Sequence, residues 1–322
     1  MPIDLAFEAK PARSVLVYGA AGFVGTALVP VLTEMGVRRL ILIDKHPMSV
    51  SSVYQPDAEI VTIRSDSLIS VHESWPVEVA VILAGQTDVD EGLRCPAASF
   101  RSNLDIAIEA SEWHRLNPAA RLIYLSSDEV LGVSEIPLNE DAELQPTQPY
   151  ATSKACAELT LECYSKTYSL DLVILRSCNL VGGSQRAPKL IPTAVAHFAE
   201  GRAVPIFGDG RHIREWMAVE DLCDAIVMAV KSVLPSGKYN CTTAYRLRTL
   251  QVVEIVAKVL EVAPRWRAVA DRLVHDSSYA MSSERIRLHG WSPYRDVGRA
   301  IQRAAKELLK AHRSGVDITR SR

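Results

Sequence analysis

The sequence predicts an α/β fold, a doubly wound parallel sheet followed by a smaller C-terminal α/β lobe. Three observations carry this. A β-branched run, Ser14 to Tyr18, leads directly into a glycine-rich turn, a helical stretch and a second apolar run. Apolar runs and helical stretches then alternate as far as residue 175, the pattern of a parallel sheet covered on both faces. After Cys178 the texture changes to glycines, prolines and shorter helical segments. Residues 1–178 accordingly read as the sheet domain and 179–322 mainly as the lobe, with parts of about 215–245 returning to the sheet.

In order, Ser14 to Tyr18 predicts the first strand and Thr26 to Met35 a helix stopped by Gly36. Leu40 to Asp44 predicts the second strand. Between the strands lies Gly19-Ala20-Ala21-Gly22-Phe23-Val24-Gly25, a GxxGxxG turn, with Asp44 nineteen residues beyond its last glycine. With Gly19, Ala21, Gly22, Phe23, Val24 and Gly25 as candidate cofactor-binding residues, the small residues of this turn let the backbone approach a pyrophosphate. The helix N-terminus favours its negative charge, and Asp44 can bond a ribose diol. A carboxylate there repels a 2′-phosphate, which favours NAD over NADP, and Lys45 offsets this only slightly.

Further strands are predicted at Ile60 to Ile63, Val77 to Leu83, Arg121 to Leu125 and Leu172 to Leu175. Helices are predicted at Pro96 to Leu116 (containing Asn103) and from Tyr150 to about Tyr168. Asp66 and Ser67, past the third strand, are placed to meet the adenine end of a dinucleotide. Leu83, Ala84 and Gly85 suit close approach to the same ligand. In the lobe, Leu190 to Gly201, Asp221 to Val233, Thr249 to Val262 and Asp296 to Lys310 read as helices, and His312 to Arg322 as a polar, frayed tail.

Composition narrows the classes. The formal charge of −2 gives no reason to expect nucleic acid or an acidic membrane as partner. Six cysteines without CxxC spacing argue for reduced thiols rather than a disulfide framework or a zinc site. The opening Met1 to Leu5 has no basic, apolar signal character, and no apolar run approaches a membrane span, so a cytoplasmic location is expected. His46, His72, His114, His197, His212, His275 and His289 show no ligand spacing; they read as surface or capping residues, and no metal is expected.

The chemistry is concentrated between Leu122 and Lys154. An apolar strand ends in Ser126-Ser127-Asp128-Glu129; after a Pro-rich acidic loop, Tyr150 and Lys154 follow at i and i+4, on one face of a helix. An ammonium beside a phenol favours the phenolate. Tyr150 can then take the proton of a sugar or steroid hydroxyl while a nicotinamide takes the hydride, with Ser127 bonding the same oxygen. Tyr150 and Lys154 thus also border the cofactor.

Together the glycine turn, Asp44, Ser127, Tyr150 and Lys154 resemble the extended short-chain dehydrogenases/reductases, the NAD-dependent epimerase/dehydratase family with a Rossmann-type domain. The similarity is greatest to its dTDP-glucose 4,6-dehydratases. It extends over nearly the whole chain, through Ser126 to Gly132, Pro149 to Lys154, Lys189 to Pro192, Ile213 to Asp221, His275-Asp276 and Gly290-Trp291. The resemblance implies NAD as cofactor, a nucleoside-diphosphate sugar as substrate and a homodimer formed through the Pro96–Leu116 and Tyr150–Tyr168 helices. It implies Glu129 as the base that removes a C5 proton and Asp128 as the acid that helps a C6 hydroxyl leave. It also places Gln86, Thr87, Asn179, Lys189, Leu190, Arg214 and Asn240 around the substrate.

Four departures concern the substrate. Ser277 and Ser278 stand where the family has two arginines, and Asn179 to Gly183 replaces an Asn-Asn-Tyr-Gly-Pro run. Asp88 replaces a frequent His and Leu131 a usual Tyr. Loss of arginines near a diphosphate removes charge-assisted hydrogen bonds. Two other outcomes fit the same residues: a nucleotide-sugar 4-epimerase or other 4-keto-forming enzyme of the extended short-chain type, and a non-catalytic NAD-binding protein, whose usual mark is a missing Tyr or Lys.

Overall fold

The computed structural model describes residues 12–48, 58–69 and 75–319; the segment Met1 to Leu5, His72 and the end of the tail lie outside them. The main sheet is built from β1 (Ser14–Tyr18), β2 (Arg39–Asp44), β3 (Glu59–Arg64), β4 (Val79–Ile82), β5 (Arg121–Ser127), β6 (Asp171–Ser177) and β10 (Gly237–Cys241). All seven run parallel, in the order β10-β6-β5-β4-β1-β2-β3.

Alternation along the strands explains the two helical layers. Val15, Val17, Ile123 and Val173 pack with Leu28 and Leu32 of α1 (Phe23–Glu34) and with Leu222 and Ile226 of α6 (Val219–Val230). Leu16, Tyr18, Leu122 and Tyr124 face the other way, onto Ala107 and Trp113 of α3 (Pro96–Leu116) and Ala157 and Leu161 of α4 (Pro149–Tyr168). A short helix, α2 (Val89–Arg94), precedes α3; Asp88 caps it, accepting from Asp90 N at 2.9 Å and Glu91 N at 3.2 Å.

The second lobe has a core of its own. Helices α5 (Leu190–Ala199), α7 (Thr249–Val259) and α9 (Val297–Arg313) bury Ile191, Val195, Val252, Val256, Ile301 and Leu308 against two small sheets. One sheet joins β7 (Asn179–Val181), β9 (Ile213–Ala218) and β11 (Arg246–Arg248); the other pairs β8 (Val204–Phe207) with β12 (Trp266–Val269) in parallel. A single turn, α8 (Glu284–Arg287), lies against β10. Residues 204–207 and 213–218, for which no element is predicted from sequence, are strands, and the tail, expected to fray, is anchored by Ile318, fully buried in the lobe core. Among the described residues no helix is long and apolar enough to cross a membrane.

The strand order reverses between β1 and β4, which opens a crevice at their carboxyl ends. Leu83 N and Ala84 N both donate to Tyr18 O there, at 2.8 and 2.9 Å. The glycine turn, the end of β5 and the start of α4 all lead to that edge of the sheet.

Candidate active site

The turn after β1 has the features a pyrophosphate requires. Gly19 has φ +92°, and a Cβ there would lie 2.6 Å from Ala84 N, so only glycine fits between β1 and β4. Gly22 is the N-cap of α1 and has no side chain to occupy the helix's first N–H groups, which stay available to an anion. Asp44, at the end of β2, accepts from Ala21 N and His46 N, each at 2.9 Å, and so joins the turn to the neighbouring strand. These residues fit a dinucleotide. Tyr18 Oη, donating to Asp66 O at 2.5 Å, fixes the next loop. The Ser67 hydroxyl donates to Glu109, whose carboxylate also accepts from Leu68 N at 2.8 Å. Leu83, Ala84 and Gly85 follow β4, and the Asn103 amide clamps the next residue: Gln86 N donates to it at 2.9 Å, while its Nδ2 reaches Gln86 O and, at 2.8 Å, Ser153 Oγ of α4.

The structure brings Ser127, Asp128, Glu129 and Tyr150 together. Ser127 ends β5 and caps a 3-10 turn over Asp128–Leu131, its Oγ accepting from Glu129 N at 3.3 Å and donating to Asp128 Oδ1 at 3.1 Å. The Ser127 hydroxyl also acts on the Tyr150 phenol, favouring its ionised form. Gln148 does two things at once: its Oε1 caps α4 by accepting from Tyr150 N at 2.8 Å, and its Nε2 donates to Glu129 Oε2 at 2.6 Å.

Their environments differ. Asp128 is buried, its Oδ2 has no hydrogen-bond partner, and burial followed by the charge of Glu129 raises its carboxyl to about 8. Burial also raises Glu129, but Arg214, Lys189 and the Gln148 amide oppose it by favouring the anion. Tyr150 is pushed up by burial first and Glu129 second, with Ser127 pulling the other way.

Lys154 overturns the simplest expectation. It shares a buried stripe of α4 with Tyr150 and Glu158, yet its Nζ donates to Tyr124 Oη at 2.8 Å and Leu125 O at 2.7 Å. Burial lowers it to about 7, against the pull of Glu158. Tyr124, which the sequence reading passed over, therefore holds the lysine; a tyrosine inside a buried strand needs a partner for its hydroxyl, and that is the signal that could have found it. Behind both, the buried Glu158 carboxylate meets the Arg176 guanidinium, Oε2 to Nη2, at 2.6 Å.

Of the expected substrate residues, Lys189 Nζ donates to Thr87 O at 2.7 Å, with Leu190 starting α5 beside it. The Arg214 guanidinium lies 4.5 Å from the centre of the Tyr279 ring and acts on both carboxylates. Gln86 Oε1 accepts from Ser99 Oγ, and Asn179 begins β7 opposite Trp216. Asn240 is placed differently: it is fully buried on β10, its N–H donating to Glu140 at 2.8 Å and its Nδ2 to Leu138 O at 3.1 Å. The departures also have structural reasons. Ser278 Oγ donates to Ser134 O, Asp88 caps α2 and Leu131 is core. Tyr279 and Asp276, bonded at 2.5 Å, close the side near Glu129. The histidines are not all surface or capping residues: His114 is buried and bonded to Ala120 O, and His212 and His275 stack on each other.

Comparison with known proteins agrees with this geometry. Residues 15–242 match the model of the NAD dependent epimerase/dehydratase family. A dTDP-glucose 4,6-dehydratase from Haemophilus influenzae is 27% identical, over 92% of this chain and 98% of its own. The crystal structure of a dTDP-glucose 4,6-dehydratase from Streptomyces venezuelae with NAD bound superposes with a TM-score of 0.88 at 25% identity, covering 94% of this chain and 98% of that one. A UDP-glucose 4-epimerase from Thermotoga maritima shares the fold, with a TM-score of 0.83 at 21% identity over 93% and 99% of the two chains. With its glycine turn, its acid after β2 and its Ser-Tyr-Lys set on one crevice, this chain belongs to the NAD dependent epimerase/dehydratase family and uses NAD.

Proposed function

We propose that the chain is a 4,6-dehydratase of a nucleoside-diphosphate sugar. The observation that carries this is the adjacent pair Asp128–Glu129 beside Tyr150. Asp128 is buried with its Oδ2 unpartnered and its carboxyl raised to about 8, while Glu129, also raised by burial, accepts from the Gln148 amide and feels Arg214 and Lys189. Two neighbouring carboxyls with different partners can divide the roles of acid and base.

Gly19, Ala21, Gly22, Phe23, Val24, Gly25 and Asp44 would hold the adenosine diphosphate half of NAD, with Lys45, Asp66 and Ser67 at the adenine end. Leu83, Ala84, Gly85, Tyr150 and Lys154 would border the other half. Bound NAD supplies a positively charged hydride acceptor that can give the hydride back within the same turnover. Tyr150 as the phenolate, aligned by Ser127 Oγ, takes the proton of the C4 hydroxyl and becomes the neutral phenol; the Lys154 ammonium one turn along α4 would favour that phenolate beforehand. The resulting ketone acidifies C5–H. Glu129 removes that proton, and Asp128 gives its own to the departing C6 hydroxyl, so the sugar loses water. Arg214 and Lys189 bring positive charge suited to a diphosphate, with Gln86, Thr87, Asn179 and Leu190 along the same side.

Incubation with a panel of nucleoside-diphosphate sugars tests this. A product lighter by one water is expected, and only isomers of unchanged mass would refute it. We further propose a homodimer through α3 and α4, whose outer faces expose Ile108, Leu116, Leu159 and Tyr168.

A further inference from the structure

Apart from the cluster around Tyr150, two loops of the lobe bring three metal-ligating side chains together. Because β8 and β12 pair in parallel, Val204 opposite Trp266 through Phe207 opposite Val269, the chain leaves both strands at the same end. His212 follows one strand; Asp271 and His275 follow the other. One donor atom of each lies within 4.8 Å of the others. His275 Nδ1 stands 2.6 Å from Asp271 Oδ1 and His212 Nε2 4.0 Å from Asp271 Oδ2, while the two imidazoles stack with centres 3.4 Å apart.

The surroundings look built for these three groups. Gly208 donates its N–H to Val269 O at 3.2 Å, and a Cβ on it would come within 2.5 Å of Asp271 Oδ2, so glycine leaves the carboxylate its room. His212 is fixed by its neighbours' hydrogen bonds: Thr249 N donates to His212 O at 3.1 Å and Ile213 N to Ser277 O at 2.9 Å. Phe207 sets its ring edge-on to His275. The adjacent Arg272 is directed elsewhere, with Nε 2.6 Å and Nη2 3.0 Å from the Asp90 carboxylate of α2. Both imidazoles are shielded, their side chains 15% and 11% exposed, whereas the Asp271 side chain is 42% exposed and offers an entrance from solvent.

A hydrogen-bonded Asp–His pair accounts for His275 alone. His212 gains little from the protein: its Nδ1 is buried without a partner and its Nε2 faces the carboxylate. A neutral imidazole offers a ring-nitrogen lone pair to a metal ion. Two imidazoles and one carboxylate suit zinc and its neighbours in the first transition row, whereas magnesium and calcium call for oxygen ligands throughout.

We propose that His212, Asp271 and His275 form a binding site for a divalent cation of the zinc class, open to solvent on the Asp271 side. The ion would fasten the loop after β8 to the loop after β12. The test is titration of the chelator-treated full chain with Co²⁺ and Zn²⁺, together with the variants His212→Gln and Asp271→Asn, the second being a partly exposed position that folding tolerates. One equivalent should bind the wild type and give cobalt ligand-field bands without a thiolate charge-transfer band. Zinc should raise the thermal midpoint, and both variants should bind roughly 100-fold more weakly. No stoichiometric binding, unchanged affinity in both variants, or a thiolate band placing the ion on a cysteine would each overturn the proposal.

Discussion

Asp128 and Glu129 are neighbours in sequence that meet different surroundings. Burial raises both carboxyls; Asp128 also has the adjacent Glu129 charge against it, while for Glu129 the charges of Arg214 and Lys189 and the Gln148 amide oppose the effect of burial. As an acid, Asp128 must carry its proton, so turnover should fall about tenfold per pH unit above about 8, measured as kcat against pH. Its raised carboxyl also costs stability. Between roughly 4 and 8 the folded chain holds on Asp128 a proton that the unfolded chain has lost, so the contribution of this carboxyl to stability falls as pH rises through that window and is constant above it. Asp128→Asn removes this term. It should abolish water loss and yet melt above the wild type, by about 2–4 °C at pH 8 and hardly at all near pH 4, by calorimetry at both pH values. Tyr150→Phe, which keeps the ring and removes only the proton acceptor, should lower kcat about 100-fold or more with NAD binding unchanged, by steady-state kinetics and cofactor titration.

At the scale of the element, α4 carries the site. Tyr150, Lys154 and Glu158 lie one turn apart on its buried face, and the ion pair of Glu158 with Arg176 on β6 fixes the far end of that stripe. Arg176→Met would strand a buried carboxylate, costing roughly 3–5 kcal/mol in urea denaturation. Much of this was legible beforehand. The i, i+4 spacing put Tyr150 and Lys154 on one face of a helix expected to run to about Tyr168, where the structure ends it. What spacing could not show was where Lys154 Nζ ends, because its partner Tyr124 comes from a strand thirty positions earlier. For the same reason, the strands of residues 204–207 and 213–218 were missed: they pair within small sheets whose partners, β12 and β11, are distant in sequence.

At the scale of the molecule, the glycine turn and Asp44 announced the crevice between β1 and β4, since that unit is local in sequence. The arrangement of His212, Asp271 and His275 was not legible, because only the pairing of β8 with β12 brings them together. The outer faces of α3 and α4 give the assembly its own test. Leu159 is 58% exposed, so Leu159→Asp should leave the fold intact and shift a dimer to monomers in light scattering. A wild type that is monomeric at working concentration would contradict the dimer. The central claim, that Tyr150 takes the hydroxyl proton as C4 is oxidised at the expense of NAD, so that Glu129 and Asp128 can take water from C5 and C6, is tested most directly by turnover in D₂O. A nucleoside-diphosphate sugar should return as a product one water lighter with a single deuterium at C5; an isomer of unchanged mass without deuterium would contradict it.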